Sequence, residues 1–133
     1  MSKVFVTSGK RKSATARAVL NQEGKGVVTI NGINLDVFSQ KYLRMAVQVP
    51  IQLAGDSVKS VDIHVKVGGG GITTQADACA LAIARALVKN DKKNEKVFLD
   101  YDRALLVADV RRKESAKPNR HGQARSKIQK SYR

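Results

Sequence analysis

Val58-Lys59-Ser60-Val61-Asp62-Ile63-His64-Val65-Lys66-Val67, then Gly68-Gly69-Gly70-Gly71, then Ile72-Thr73-Thr74-Gln75-Ala76-Asp77-Ala78-Cys79-Ala80-Leu81-Ala82-Ile83-Ala84-Arg85-Ala86-Leu87 is the stretch that decides the fold class. In its first part Val61, Ile63, Val65 and Val67 alternate with Asp62, His64 and Lys66. A period of two predicts a strand from Val58 to Val67, with one face in a core and one face wet or turned to a partner. Past the glycines the period changes. Ile72, Ala76, Ala80, Ile83 and Leu87 fall on one helical stripe with Cys79 beside it, and the richness in Ala and Leu gives high helix propensity. Thr74 and Asp77 have capping-box spacing with Asp in place of Glu, and Asp77 suits the positive end of the helix dipole.

Upstream, Val4 to Thr7 is a short β-rich run that Ser8-Gly9 is expected to break. Ala14, Ala16 and Ala18 alternate with Thr15, Arg17 and Val19 up to Leu20, which predicts a half-buried strand. Asn21 to Gly26 reads as a turn, and Val27 to Ile30 as the returning strand of that hairpin. Asn31-Gly32 is a further turn signal. Asp36 to Ala54 reads as helical, with Tyr42, Met45, Ala46 and Val49 at helical spacing, and Pro50 is expected to break or restart the helix. Downstream, Asn90 to Glu95 is a charged break before a shorter helix from Glu95 to Leu106. These elements make an α+β fold, with helices on one face of a small, mostly antiparallel sheet. The apolar pattern stops near Val110. Residues 1–110 are therefore expected to form a globular domain. Residues 111–133, too polar to offset their ordering entropy, are expected to form an extended basic tail ordered only against a partner.

Charge points to that partner. The chain of 133 residues carries 25 Lys+Arg against 11 Asp+Glu, a formal net charge of +14. The excess is uneven: residues 1–20 sum to +5, residues 21–110 to +1 and residues 111–133 to +8. A nearly neutral body with two basic extremities is the footprint of a polyanion binder. Lys10, Arg11, Lys12 and Arg17 sit at the corner between the first two strands. Arg111, Arg112, Lys113, Lys117, Arg120, Arg125, Lys127, Lys130 and Arg133 line the tail. Their irregular spacing makes no amphipathic membrane helix, and no apolar run approaches the roughly 20 residues of a membrane span. The first residues show no apolar signal-peptide segment, so a cytoplasmic location is the default expectation. Three Phe, three Tyr and no Trp leave few platforms for base stacking. The chain looks built to neutralise the phosphates of folded RNA and fit their shape.

Enzyme chemistry finds little support. Cys79 is the one cysteine, so no internal disulfide forms, and with only His64 and His121 beside it a structural zinc site lacks ligands. No cofactor, metal or small-molecule substrate is expected. A P-loop needs Lys-Ser/Thr after its last glycine, where this chain has Ile72-Thr73-Thr74. The glycine run keeps three readings: a phosphate site of an enzyme, a plain tight turn, and a place where missing side chains let an RNA backbone come close. The last is favoured. His64 reads as a surface or RNA-facing residue, and His121 lies in the tail with nothing rigid to orient it. Asp100, Asp102 and Asp109 stand near Arg103, Arg111 and Arg112, where ion pairing explains them better than acid–base work. A free nucleic-acid-compacting protein is the remaining alternative.

Four motifs resemble a known family along essentially the whole length. They are Gly9-Lys10-Arg11-Lys12-Ser13-Ala14-Thr15-Ala16-Arg17; Gly69-Gly70-Gly71 with Gln75 and Ala84-Arg85-Ala86-Leu87; Tyr101 to Asp109 with Arg111-Arg112; and Gln129-Lys130-Ser131-Tyr132-Arg133. Together they are similar to the universal small-subunit ribosomal protein nine family, and the ending is similar to its archaeal and eukaryotic branch, with the compact length of the archaeal one. Thr74 departs from the family's usual smaller residue, and Val110 from a frequent Pro. The resemblance implies a non-catalytic ribosomal protein with a fold akin to the second domain of small-subunit ribosomal protein five. It implies a place in the head of the subunit beside other head proteins, bound to 16S rRNA. It adds Gly69, Gly70, Gly71, Gln75 and Arg103 to the basic residues as rRNA contacts. It also implies a tail that reaches P-site tRNA through Arg133, supported by Lys130.

Overall fold

The alternation of small and polar residues builds the first hairpin of the computed structural model, which describes residues 2–125. The elements run β1 (Val4–Arg11), β2 (Ala14–Asn21), β3 (Val28–Ile30), β4 (Ile33–Asn34), α1 (Lys41–Ala54), β5 (Asp62–Gly68), α2 (Ile72–Asn90) and α3 (Lys93–Tyr101). The five strands form one sheet in the order β1-β2-β5-β3-β4, mostly antiparallel, with β3 parallel to β5. The α+β expectation holds.

β1 does not stop at Ser8-Gly9. It pairs with β2 as far as Arg11, opposite Ala14. Gly9 is there because α2 crosses it: a Cβ at this position would lie 2.2 Å from the Ala78 carbonyl oxygen and 2.8 Å from the Ala82 nitrogen. The glycine marks a close approach of strand to helix, not the end of a strand. Across the same contact the Thr7 hydroxyl donates to the Ala82 carbonyl at 2.8 Å. Ala14, Ala16 and Ala18 on β2 are buried under α2, and their small size lets the helix settle on the sheet.

The expected hairpin between β2 and Val27 to Ile30 does not form, because β5 inserts between them. The Asp62 carboxylate at the start of β5 accepts from the N–H groups of Lys25 at 2.8 Å and Val27 at 3.0 Å. Backbone bonds from Gly24 to Ser60 and from Gly26 to Val61 fasten the same loop. The loop is thus tied to the chain entering β5, and β3 is laid on the far side of that strand. The Val27 and Lys25 N–H groups hold the Asp62 carboxyl below its usual value of 3.8. A lowered folded value means the stabilisation is present above the unfolded value and is lost as pH falls through the folded one. Acidification below about pH 4 should therefore lower the protection of the Lys25 and Val27 amides, measured against the unfolded-chain exchange rate at the same pH, before α2 opens. In Asp62→Asn that acid-dependent step should vanish; a persisting step would place its cause elsewhere.

α2 has buried residues on nearly every side from Ala76 to Leu87, because α1 covers what the sheet does not. Ile72, expected on the stripe, is half-exposed in the first turn. Gly71 is the N-cap, and Thr74 is the third helical residue: its hydroxyl oxygen accepts from the Gly71 N–H at 2.9 Å, so the cap pairs Gly71 with Thr74 and not Thr74 with Asp77. α1 begins at Lys41, five residues later than expected, after a 3-10 turn from Leu35 to Val37. Its buried stripe is Leu43, Val47 and Pro50, while Tyr42 and Met45 are exposed. Pro50 does not end the helix. It lies near the C-terminal end, where its buried ring offsets the missing N–H. Val58 belongs to a 3-10 turn, so β5 is shorter than expected, but Ile63 and Val65 face the core and His64 and Lys66 the other side. α3 stops at Tyr101. The Asp102 side chain then caps a 3-10 turn by accepting from Ala104 at 2.9 Å.

Candidate nucleic-acid interface

The β1–β2 hairpin turns at Lys12-Ser13, with Lys12 in the left-handed region at φ 53°. The turn leaves Lys10 and Lys12 exposed, while Arg11 points back toward α2 with only 20% of its side chain accessible. The Arg11 guanidinium lies between two carboxylates. Its Nε is 3.7 Å from Asp77 on α2, and its terminal nitrogen bonds Asp109, where the tail begins. Asp109 also holds the tail root from the other side. It accepts from the Arg111 N–H at 2.9 Å and from the Arg111 guanidinium at 2.6 Å, and its carbonyl accepts from Arg112 at 2.8 Å.

This hub brings the two basic extremities of the chain together. Lys12, Ser13, Arg111, Arg112 and Lys113 line one open cleft of about 600 Å³, with four cations and no acid in its wall. A cleft walled by one sign of charge concentrates counter-ions and oppositely charged ligands. Arg11, expected to face RNA, instead positions the tail root. Losing the carboxylate of Asp109 should therefore free residues 109–113 without unfolding the sheet. Asp109→Asn is expected to cost about 1–3 kcal/mol of stability by denaturant titration and to raise backbone exchange at those residues. Unchanged exchange there would mean the tail root is held by something else.

The glycine loop buttresses the same corner. A Cβ on Gly69 would meet the Ser13 carbonyl oxygen at 2.5 Å, and one on Gly70 the Thr74 hydroxyl at 2.4 Å, with φ at +79° and +60°. The space these two residues leave is filled by the protein itself, which is the tight-turn reading. Of the four glycines in this loop, Gly68 and Gly71 border open space. Gln75 ties the loop down by donating from Nε2 to the Gly69 carbonyl at 3.0 Å. Thr74 fits this loop, its hydroxyl accepting from the Gly71 N–H and donating to the Gly71 carbonyl, both at 2.9 Å.

The remaining expected contacts are scattered. Arg17 is exposed in the middle of β2, and Arg103 is exposed on the turn after α3. In the tail, Lys117 and Arg125 both pair with Glu114, at 2.8 and 3.0 Å, and hold that carboxyl below the usual range. Lys117 N–H donates to the Gln123 carbonyl, so residues 117–123 close a loop, with Arg120 exposed on it. Lys127, Lys130 and Arg133 lie outside the described residues. Two residues that sequence reasoning passed over belong in the picture. Lys66 is exposed directly beside Arg17 across the β2–β5 pairing. Arg85 braces the corner from α2 by donating to the carbonyls of Ser8 at 2.9 Å and Leu106 at 3.2 Å. Alternation already placed Lys66 on the wet face, but only the register shows its neighbour.

Among the described residues the one thiol and the strand histidine are both engaged within the fold. Cys79 is fully buried and its thiol is pushed up to about 12 by that burial. His64 bonds Thr29 at 2.7 Å, and among the described residues no group of three His, Cys, Asp or Glu could hold a metal ion.

Residues 9–133 match the family model described as Ribosomal protein S9/S16. Two Thermoplasma proteins named small ribosomal subunit protein uS9 are similar over almost their whole length. The T. volcanium protein is 50% identical over 130 residues, covering 96% of this chain and 97% of the relative. The T. acidophilum protein is 52% identical over 131 residues, covering 97% and 100%. A uS9 protein of Methanococcus maripaludis is 43% identical over 134 residues, covering 98% and 99%.

Proposed function

The chain belongs to the ribosomal protein S9/S16 family, and from that premise we propose that it is a structural protein of the small ribosomal subunit, not an enzyme, which grips 16S rRNA in the head at its convergent basic corner. The observation that carries the reading is the cleft of Lys12, Arg111, Arg112 and Lys113, where two segments far apart in the chain pool four cations, of which, among the described residues, Arg111 alone is paired, with Asp109 at its base. Arginine supplies a planar fork that matches phosphate oxygens, and lysine a mobile point charge. Such contacts position a protein on folded RNA without reading bases. Residues 1–110 would act as the globular anchor and residues 111–133 as a strand ordered by RNA and by neighbouring head proteins, within a cytoplasmic ribosome of archaeal type. The tail's end would reach P-site tRNA, with Arg133 and Lys130 on the anticodon stem-loop. The net charge of +8 in residues 111–133 and the family match through residue 133 support this.

The test is co-sedimentation. A tagged full chain should travel with small subunits through a gradient at moderate salt, and recovery only in ribosome-free fractions would end the reading. Comparable affinity for duplex DNA and rRNA would favour a free nucleic-acid-compacting protein instead. For the tail, Arg133→Ala should speed tRNA release from the P site while assembly proceeds. Unaltered release rates would remove the tRNA contact and leave the rRNA reading in place.

A further inference from the structure

We infer that the free edge of β1, from Val4 to Ser8, takes up an extended acidic segment of another small-subunit protein as an added strand of the sheet. The inference rests on the ribosomal reading above and adds a mode of protein contact to it. β1 is the outermost strand on its side of the sheet. The Gln22 N–H donates to the Lys3 carbonyl at 3.1 Å, which fixes the phase of the antiparallel ladder. Hydrogen-bonded pairs alternate along such a ladder. Phe5 and Thr7 therefore bond β2, while the N–H and carbonyl groups of Val4, Val6 and Ser8 point outward. Two side chains of α2 mark that direction: Lys89 donates to the Val6 carbonyl at 3.3 Å, and the Arg85 guanidinium to the Ser8 carbonyl at 2.9 Å. An edge of this kind is a template for a further strand.

A groove of about 440 Å³ lies beside this edge. Its walls hold Val6, Val88 and Leu106, the cations Arg85 and Lys89, and a single acid, Glu95. Lys3 stands exposed at the start of the edge. Among the described residues neither Arg85 nor Lys89 pairs with a carboxylate. Charge thus selects an acidic occupant. It disfavours a second copy of this chain, whose own edge carries the same cations. It also disfavours residues 126–133, which hold Lys127, Lys130 and Arg133 and no acidic side chain. Val4 and Val6, 55% and 52% exposed, favour protein over RNA, because an added strand sets apolar side chains beside them at every second residue. A carbonyl oxygen has two lone pairs, so a strand N–H can join Arg85 on Ser8. Lys89, on its flexible stem, can swing from Val6 to a carboxylate of the partner. The open length ends near Ser8, where Arg85 also bonds the Leu106 carbonyl at 3.2 Å.

The experiment uses the full chain with a benzophenone photo-cross-linker placed at Val4, assembled into small subunits and sedimented before irradiation. The expected product joins the chain to one small-subunit protein, at a peptide rich in Asp or Glu identified by mass spectrometry. Val6→Pro deletes an outward N–H and leaves the Phe5 and Thr7 bonds to β2 in place, so it should lower the yield by about tenfold. Lys89→Glu, at an exposed helix position, repeats the test without touching the strand and should lower the yield by about threefold. A cross-link to rRNA alone, to a protein segment without acids or to a second copy of this chain overturns the inference. So does a chain that sediments with subunits and cross-links to nothing, which would leave Arg85 and Lys89 as caps on a closed edge. A yield that neither variant moves overturns it too, since the contact would not run through the edge. Absence of the chain from the subunit fraction sinks the ribosomal reading and this inference with it.

Discussion

Gly9→Val should leave no cooperatively folded protein. The substitution introduces a Cβ 2.2 Å from the Ala78 carbonyl oxygen and 2.8 Å from the Ala82 nitrogen, both backbone atoms in the middle of a buried helix. No rotamer relieves a clash at Cβ. Either β1 leaves the sheet, or α2 lifts from β2 and uncovers Ala14, Ala16 and Ala18. Overpacking a tight core costs about 1–3 kcal/mol even where side chains can yield, and native stability is only about 5–15 kcal/mol. The Thr7–Ala82 bond would go with the same movement. Thermal unfolding followed by circular dichroism should show a broad transition or none. A sharp melt within a few degrees of the parent would mean the helix can shift cheaply. Gly71→Ala is the control: a Cβ there meets nothing within 4 Å, and the expected cost is at most about 1 kcal/mol.

Replacing Arg111, Arg112 and Lys113 together with glutamine should cut affinity for 16S rRNA by about 100-fold near physiological salt, with the log–log salt slope lower by about 2–3. The estimate follows from counter-ion release at three phosphates, and the effect should fade toward molar salt, where the two proteins converge. The three side chains lie in the wall of the cleft with Lys12, so their replacement removes three of its four cations. The fold should survive, since Arg111 and Arg112 reach only the tail root at Asp109 and residue 111 itself. Filter binding over a salt series measures both quantities. An equal drop at every salt concentration would point to misfolding, not to missing charge.

The legible parts of the fold are those written in local periodicity. Alternation from Val61 to Val67 and the Ala-rich stripe of α2 describe each element's own two faces. What failed was pairing. The turn at Asn21 to Gly26 looked like a hairpin because nothing nearby contradicted it, yet its loop is held by Asp62, far ahead in the chain. Gly9 looked like a break because its partner, α2, is distant in sequence. In α1 the expected stripe is half right for a related reason: Ala46 and Val49 pack against the core, while Tyr42 and Met45 are exposed. Several faces of that helix carry apolar residues, and only packing against α2 selects Leu43, Val47 and Pro50.

The candidate site divides the same way. Its cations were visible in the charge partition, but which of them face a ligand was not. Arg11 is turned inward by Asp77 and Asp109, and Gly69 and Gly70 pack on Ser13 and Thr74.

Taken alone, the sequence determined the fold class, the helix and strand that anchor it, the family, and the segregation of positive charge to the two ends. Each depends on residue type and short-range spacing. Tertiary structure alone decided that the β1–β2 turn and residues 111–113 meet at one corner, that β5 separates β2 from β3, and that Arg17 stands opposite Lys66. Each of these is a contact between segments far apart in the chain. Composition and periodicity carry no record of which distant hydrogen bond or ion pair closes them.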